Sequence, residues 1–276
     1  MTSLIAATHS TLLLLPLLLF PLPFGSSAYF VVPIQDQPEL TAEQQEQLKE
    51  RDRYAEETSK LRAEGKLAEA IEAAHKMLAI ERKVFGNMHE DVAGSLEQLA
   101  DMYEQRVLDP LSPSEREDLA AARQAREEVL AIVKRLYGVT SQPNKASTPT
   151  QHWKVTDARL AAAHVERLAG LDGAERRRLA EAKQLSGKVV QFHGQGKFRE
   201  AVDPARRALD IRQEILGEEH PDTARSLNNL GYLLHAMSQY EASRPYYEQA
   251  LAITKKVLGE EHPETASNLN NLGALL

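Results

Sequence analysis

The chain has 276 residues, 42% hydrophobic and 26% charged, so it can bury a core. Its formal net charge of −7 and pI of about 5.8 argue against general nucleic-acid binding, which needs clustered positive charge to displace counterions. It contains no cysteine, which excludes disulfides, thiolate zinc sites and cysteine nucleophiles within the chain.

Residues 1–35 carry no Asp, Glu, Lys or Arg. Thr11 to Phe24 reads TLLLLPLLLFPLPF, an apolar run of about signal-peptide length. Ser26 and Ala28 then offer small residues at the −3 and −1 positions of a cleavage site. No basic segment precedes the run, and Pro16, Pro21 and Pro23 count against a spanning helix. Residues 1–28 are therefore expected to be an export signal cleaved after Ala28, giving a periplasmic or extracellular protein. Left uncleaved, they would be a membrane anchor. Residues 29–40, with Pro33 and Pro38, read as a linker.

From Thr41 onward the pattern is helical. Ala, Leu, Glu and Arg dominate, and these residues lose little side-chain freedom in a helix. The stretch GEEHPDTARSLNNLG (217–231) returns as GEEHPETASNLNNLG (259–273), 42 residues later. A fainter copy lies 131 residues upstream, where Gly86, His89, Ala93, Ser95, Leu96 and Leu99 match Gly217, His220, Ala224, Ser226, Leu227 and Leu230. The chain thus divides into repeat units over 41–106, irregular units over 107–195, and regular units over 196–276. The irregular part holds two Pro- and Ser-rich inserts, VLDPLSPS (107–114) and VTSQPNKASTPTQ (139–151), that read as surface loops. AGLDG (169–173) breaks the pattern again, and the spacing leaves helix parity over 139–195 open. The run Arg176-Arg177-Arg178 reads as a solvated helix face.

Each regular unit predicts a helix hairpin. His220 is the N-cap and Pro221 takes N1, where its missing N–H costs nothing. Ala224, Leu227, Leu230, Gly231 and Leu234 share one face. Gly231 lets the partner helix come close. Met237-Ser238-Gln239 turns the chain, and a second helix runs from near Tyr240 to Leu258 with Gly259 as a left-handed C-cap. A single pair cannot bury its apolar stripe, but stacked pairs can.

The frame also answers whether His220, Asp222 and Ser226 form a catalytic triad. In the copy, Asp222 becomes Glu264 and Ser226 becomes Asn268, while the Gly, His, Pro, Ala and Leu positions persist. Ser226 falls inside a helix, not on the exposed turn a nucleophile needs. His89, His220 and His262 occupy equivalent places in units about 8–10 Å apart, too far to share one zinc. No phosphate-binding or dinucleotide loop is present; Gly194-Gln195-Gly196 is an inter-helix turn. No catalytic residue, metal or cofactor is assigned.

The pattern resembles the tetratricopeptide repeat, with Leu230-Gly231 as its Leu-Gly pair, Tyr247 as its second-helix aromatic and Ala250 as the following small residue. The long variant, ALxIxxxxLGxxHPxTAxxLNNLG, is similar to the repeats of kinesin light chains and of large bacterial repeat proteins. The resemblance implies an all-α, right-handed solenoid whose first helices line a concave groove. It also implies that Asn228 and Asn270 hold the backbone of a bound peptide there, with Asn229 and Asn271 able to share the role. An amide suits that task because it offers both donor and acceptor. At about 100° per residue, Arg225, Asn228, Tyr232 and His235 form one stripe beside the core face. Shifted back 131 residues, Asn228, Tyr232 and His235 land on Glu97, Asp101 and Glu104. The groove is therefore expected to be acidic toward the N-terminal end and to favour Lys or Arg in a ligand there. The expected function is a non-enzymatic scaffold for protein or peptide segments. The alternative is the regulatory arm of a larger protease-like or kinase enzyme, because the sequence stops at Leu276 inside a first helix.

Overall fold

The computed structural model describes residues 40–109, 112, 114–138 and 149–275. The expected leader, with its cleavage after Ala28, lies outside them. The described residues form helices and no strand. Five helices make up the first stretch: α1 (Ala42–Ala63), α2 (Leu67–Phe85), α3 (Glu90–Val107), α4 (Glu115–Tyr137) and α5 (Pro149–Gly170). Five more follow: α6 (Gly173–Gly194), α7 (Phe198–Leu216), α8 (Pro221–Ala236), α9 (Tyr240–Val257) and α10 (Pro263–Gly273). None of them is long and apolar enough to cross a membrane.

The repeat frame fixes where these helices stop and start. Gly65, Gly196 and Ser238 hold equivalent places in the turns before α2, α7 and α9, with φ of 76, 70 and 61°. Gly259, expected as a left-handed C-cap, lies one residue beyond Leu258, the actual C-cap of α9, with φ of 99°. Gly86 and Gly217 close α2 and α7. Their φ/ψ pairs of 80/169° and 96/163° lie in the mirror-extended region, which is essentially glycine-only. That geometry redirects the chain at once, so that three residues later a histidine can cap the next helix. His89, His220 and His262 each accept the N–H of the residue two positions on through Nδ1, at 3.2, 3.1 and 3.1 Å.

Packing follows the predicted faces. Ala224, Leu227, Leu230 and Leu234 are buried on α8, with Tyr247 and Ala250 on α9. Gly231 faces the Tyr247 ring so closely that a Cβ there would sit 2.8 Å from a ring carbon. Between successive pairs lies a buried polar junction that repeats in place but not in chemistry. Ser95 Oγ donates to Glu81 (2.5 Å), Arg212 donates to Ser226 Oγ (2.7 Å), and Asn268 Nδ2 donates to Thr254 Oγ1 (3.1 Å).

The irregular middle departs from the stack. Consecutive helices pack against one another from α1 to α5 and again from α6 to α10, whereas α5 and α6 scarcely touch. The break falls at Leu171-Asp172, where Asp172 and Glu175 form a capping box for α6. Arg176 is no solvated residue. It donates to the Leu168 and Leu171 carbonyls at the end of α5 and pairs with Glu115 of α4 at 2.7 Å. Helix α5 is thus a first-type helix without a second. Its C-terminal half buries Val165 and Leu168. It passes the N-terminal ends of α10 and α8: Asp157 meets His262, and His164 meets His220. Seven residues separate Asp157 from His164, an advance of about 10.5 Å along a helix, close to the spacing of neighbouring packed helices.

Candidate functional site

A cavity of about 1100 Å³ opens where α3, α4 and α5 face α6 and the first turns of α8 and α10. Helix periodicity places Glu97, Asp101 and Glu104 on one side of α3, and all three line this cavity, as does Arg225 of α8. The acidic stripe is largely answered from within. Arg126 of α4 crosses to Asp101 (2.6 Å) and Glu104 (2.9 Å). Burial disfavours its charge, and these two carboxylates more than compensate, raising its pKa. Across the cavity Arg225 bridges Asp222 (3.1 Å) and Glu264 (3.3 Å), linking α8 to α10. On the α5 side Lys154 pairs with Glu90, and Asp157 accepts from His262 Nε2 at 3.0 Å. The His262 side chain is almost wholly buried, with Trp153 edge-on at 5.8 Å.

Glu97 has no ion pair among the described residues. Enclosure by the cavity walls pushes its carboxyl up, and Asp101 and Asp157 push the same way. Lys183 of α6 also lines the cavity and has no ion pair among the described residues. Burial lowers its ammonium against the pull of Asp101 and Glu104.

The asparagines sit apart. Asn228 is half-buried and accepts from Asn271 Nδ2 at 2.8 Å, so these two join consecutive first helices. Asn229 and Asn270 are exposed. Asn228 and Asn229 line a second, small pocket of about 180 Å³ with Arg225, Thr254 and Glu264. Tyr232 is exposed and bonds His193 of α6 at 3.3 Å, and the His235 ring lies tilted against Tyr240 at 5.2 Å. The structure therefore brings Glu97, Asp101, Glu104 and Arg225 to one cavity. It sets the asparagines, Tyr232 and His235 outside that cavity's lining.

His164, His220 and Asp222 place their ligand-type atoms within 4.8 Å of one another. The cap determines what this group can do. Nδ1 of His220 accepts the Asp222 N–H, so the ring proton is on Nε2. A metal on Nε2 would require that proton on Nδ1, and a metal on Nδ1 would displace the cap directly. Burial drives the His220 pKa down to about 4, so the ring is neutral. Asp222 is pulled down despite burial by Arg225 and its histidine neighbours. The group is a capping arrangement, with the His164 ring of α5 tilted 5.5 Å from that of His220.

Three contributors escaped the sequence reading: Arg126, Lys183 and the α5 pair Asp157 and His164. Lys183 had a signal, because it lies 42 residues before Arg225 and so holds the same first-helix position. Arg126 and α5 lie in the irregular stretch, where no frame relates one helix to the next.

Residues 185–256 and 228–276 match the tetratricopeptide repeat family. No curated protein matches the chain. Two similar solved structures are of a Podosopora anserina protein described as a kinesin light chain with nearly identical TPR-like repeats, one of them a single-substitution variant. Both are 19% identical and cover 85% of this chain and 87% of the other, with TM-scores of 0.29 for the variant and 0.30 for the parent.

Proposed function

We propose that this chain, whose residues 185–276 are tetratricopeptide repeats of the kinesin-light-chain type, is a non-enzymatic scaffold holding a protein segment between its two helical stretches. The fold is one generally used for protein–protein interaction. The observation that carries the reading is the open cavity of about 1100 Å³, walled by helices from both stretches. Residues of eight helices, α3 to α10, border one space there, as solenoids arrange on their concave faces. The asparagines of α8 and α10 extend the surface beyond the cavity and would support the backbone of the same ligand. Export through residues 1–28 belongs to this reading. Mass spectrometry of the secreted protein should find Tyr29 at its N-terminus, and an intact Met1 would overturn that part.

The test uses Gly94 of α3, which lines the cavity and where a Cβ would meet nothing within 4 Å. Gly94→Phe puts a ring into the space without crowding the core. Peptides selected from a library on the full-length chain should lose binding to this variant. Undiminished binding would place the ligand surface elsewhere.

A further inference from the structure

Three hairpins share one aligned pair of buried places, and the sizes of the two residues are matched. On α8 and α9 the pair is Gly231 and Tyr247, where a Cβ at the glycine would lie 2.8 Å from the ring. In the same places α6 and α7 carry Val189 and Ala205, and α1 and α2 carry Thr58 and Ala74, all four buried. A first helix with glycine thus takes an aromatic, and one with a larger side chain takes alanine, as close packing requires. Helix α10 repeats the α8 face: Ala266, Leu269, Leu272 and Gly273 stand in the places of Ala224, Leu227, Leu230 and Gly231. Here that face is open. Leu269 is 44% exposed where Leu227 is 2%, Ala266 is exposed where Ala224 is buried, and a Cβ at Gly273 meets nothing within 4 Å. The helix is nevertheless held in place. Asn268 donates to Thr254 (3.1 Å), Asn271 to Asn228 (2.8 Å) and His262 to Asp157 (3.0 Å), and none of these contacts uses the open face.

We infer that this face of α10 is a docking site for an amphipathic helix of another protein, one that carries Tyr or Phe with Ala three residues later. That helix lies on α10 as α9 lies on α8, with its ring over Gly273. The aromatic is fixed by the glycine, and the alanine by the buried place that Ala208 and Ala250 hold on α7 and α9. The chain's own helices do not supply it. The second helices α2, α4, α7 and α9 are each packed on the first helix before them. In residues 1–39 no aromatic has an alanine three places on: Phe20, Phe24, Tyr29 and Phe30 are followed there by Pro23, Ser27, Val32 and Pro33. Tyr54 of α1, the helix at the other end of a second copy, is followed there by Glu57, so copies do not stack end to end in this way. None of the four residues of the face lines the cavity, and the site is independent of the scaffold reading.

The probe is the α9 segment itself, a synthetic peptide of residues 240–257. A lactam between Glu248 and a lysine introduced as Ala252→Lys holds it helical, both positions being exposed on α9. Calorimetry with the full-length chain should find one peptide bound per chain. Tyr247→Ala in the peptide should weaken binding roughly tenfold or more, as removal of an aromatic anchor does. Gly273→Val in the chain should do the same without lowering the melting temperature, because the position borders open space. The two changes together should restore binding, since Val with Ala is the pairing of α6 and α7. Gly94→Phe, which fills the cavity, should leave binding as it is. A peptide that does not bind, that binds alike with and without its tyrosine, that binds Gly273→Val undiminished, or whose two losses merely add overturns the inference. So does loss of binding on Gly94→Phe, which would put the peptide in the cavity and support the scaffold reading instead.

Discussion

At the residue scale, two glycines show how the repeat frame turns into energetics. Gly231 is required by contact, because a methyl at that position meets the Tyr247 ring at 2.8 Å. Tyr247 is fully buried and its phenol is pushed up to about 12 by burial, so the ring has little room to move aside. Gly231→Ala should cost about 1–3 kcal/mol, as overpacking does. Gly187, in the middle of α6, has nothing within 4 Å of a Cβ. Gly187→Ala should stabilise by roughly 0.5–1 kcal/mol through helix propensity. Thermal melts that move the same way for both would refute the contact argument. His220 provides a pH effect. Its pKa falls from 6.5 to about 4 on folding, chiefly through burial. The unfolded chain therefore binds the proton more readily between those values. Stability from this ring is fully present above pH 6.5 and is lost as pH falls through 4, by up to about 3 kcal/mol. The protonated ring also cannot accept the Asp222 N–H. His220→Asn, which keeps a cap without titrating, should flatten denaturation curves measured across pH 4–7.

At the scale of elements, the hairpins were legible because three features repeat together: the turn residue, the mirror-extended glycine and the capping histidine. The buried junctions were not legible. Glu81–Ser95, Arg212–Ser226 and Thr254–Asn268 hold one position, but although Ser95 matches Ser226, the partners Glu81, Arg212 and Thr254 share no chemistry, so a search for similarity passes over the pairs. Their differences matter for stacking order. Arg212 needs the Ser226 hydroxyl of the α8 that follows it beside Ser186 of its own unit, and Glu81 is nearly wholly buried with Ser95 and Arg51 as its partners. Swapped units would enclose unmatched polar groups. Ser226→Ala should cost about 1–3 kcal/mol, because Arg212 then keeps only Ser186. Replacing both members of the third junction, Thr254→Val with Asn268→Leu, should be close to neutral, since no donor or acceptor is left alone. Chemical denaturation of the three proteins checks this. A double variant as damaging as Ser226→Ala would mean that the junctions stabilise chiefly through their own hydrogen bonds.

At the scale of the whole molecule, the sequence reading stopped at α5. Its composition suits a stacked helix as well as a crossing one, and its partners lie far along the chain. Asp157 reaches His262 across 105 residues. Nothing in local spacing carries that information, so the cavity wall formed by α5 appears only in three dimensions. The same remoteness makes α5 a clasp between the stretches. It packs on α4, accepts the His262 Nε2–H at the end of α10 through Asp157, and sets the His164 ring 5.5 Å from His220 at the end of α8. The sole tryptophan, Trp153, sits at that grip against His262 and reports on it. Asp157→Ala removes the acceptor and leaves the cap of α10 intact. His262→Asn keeps a capping side chain but cannot reach Asp157. Each should lose a hydrogen bond worth about 1–1.5 kcal/mol, raising the released population roughly tenfold. Trp153 emission should shift to the red in both variants, and amide exchange should quicken over the N-terminal half of α5. Exchange in α1 and α2 should stay as it is. Asp157→Asn, whose carbonyl still accepts from Nε2–H, should behave as the parent chain. Unchanged tryptophan emission in Asp157→Ala would show that packing on α4 alone holds α5 across the cavity.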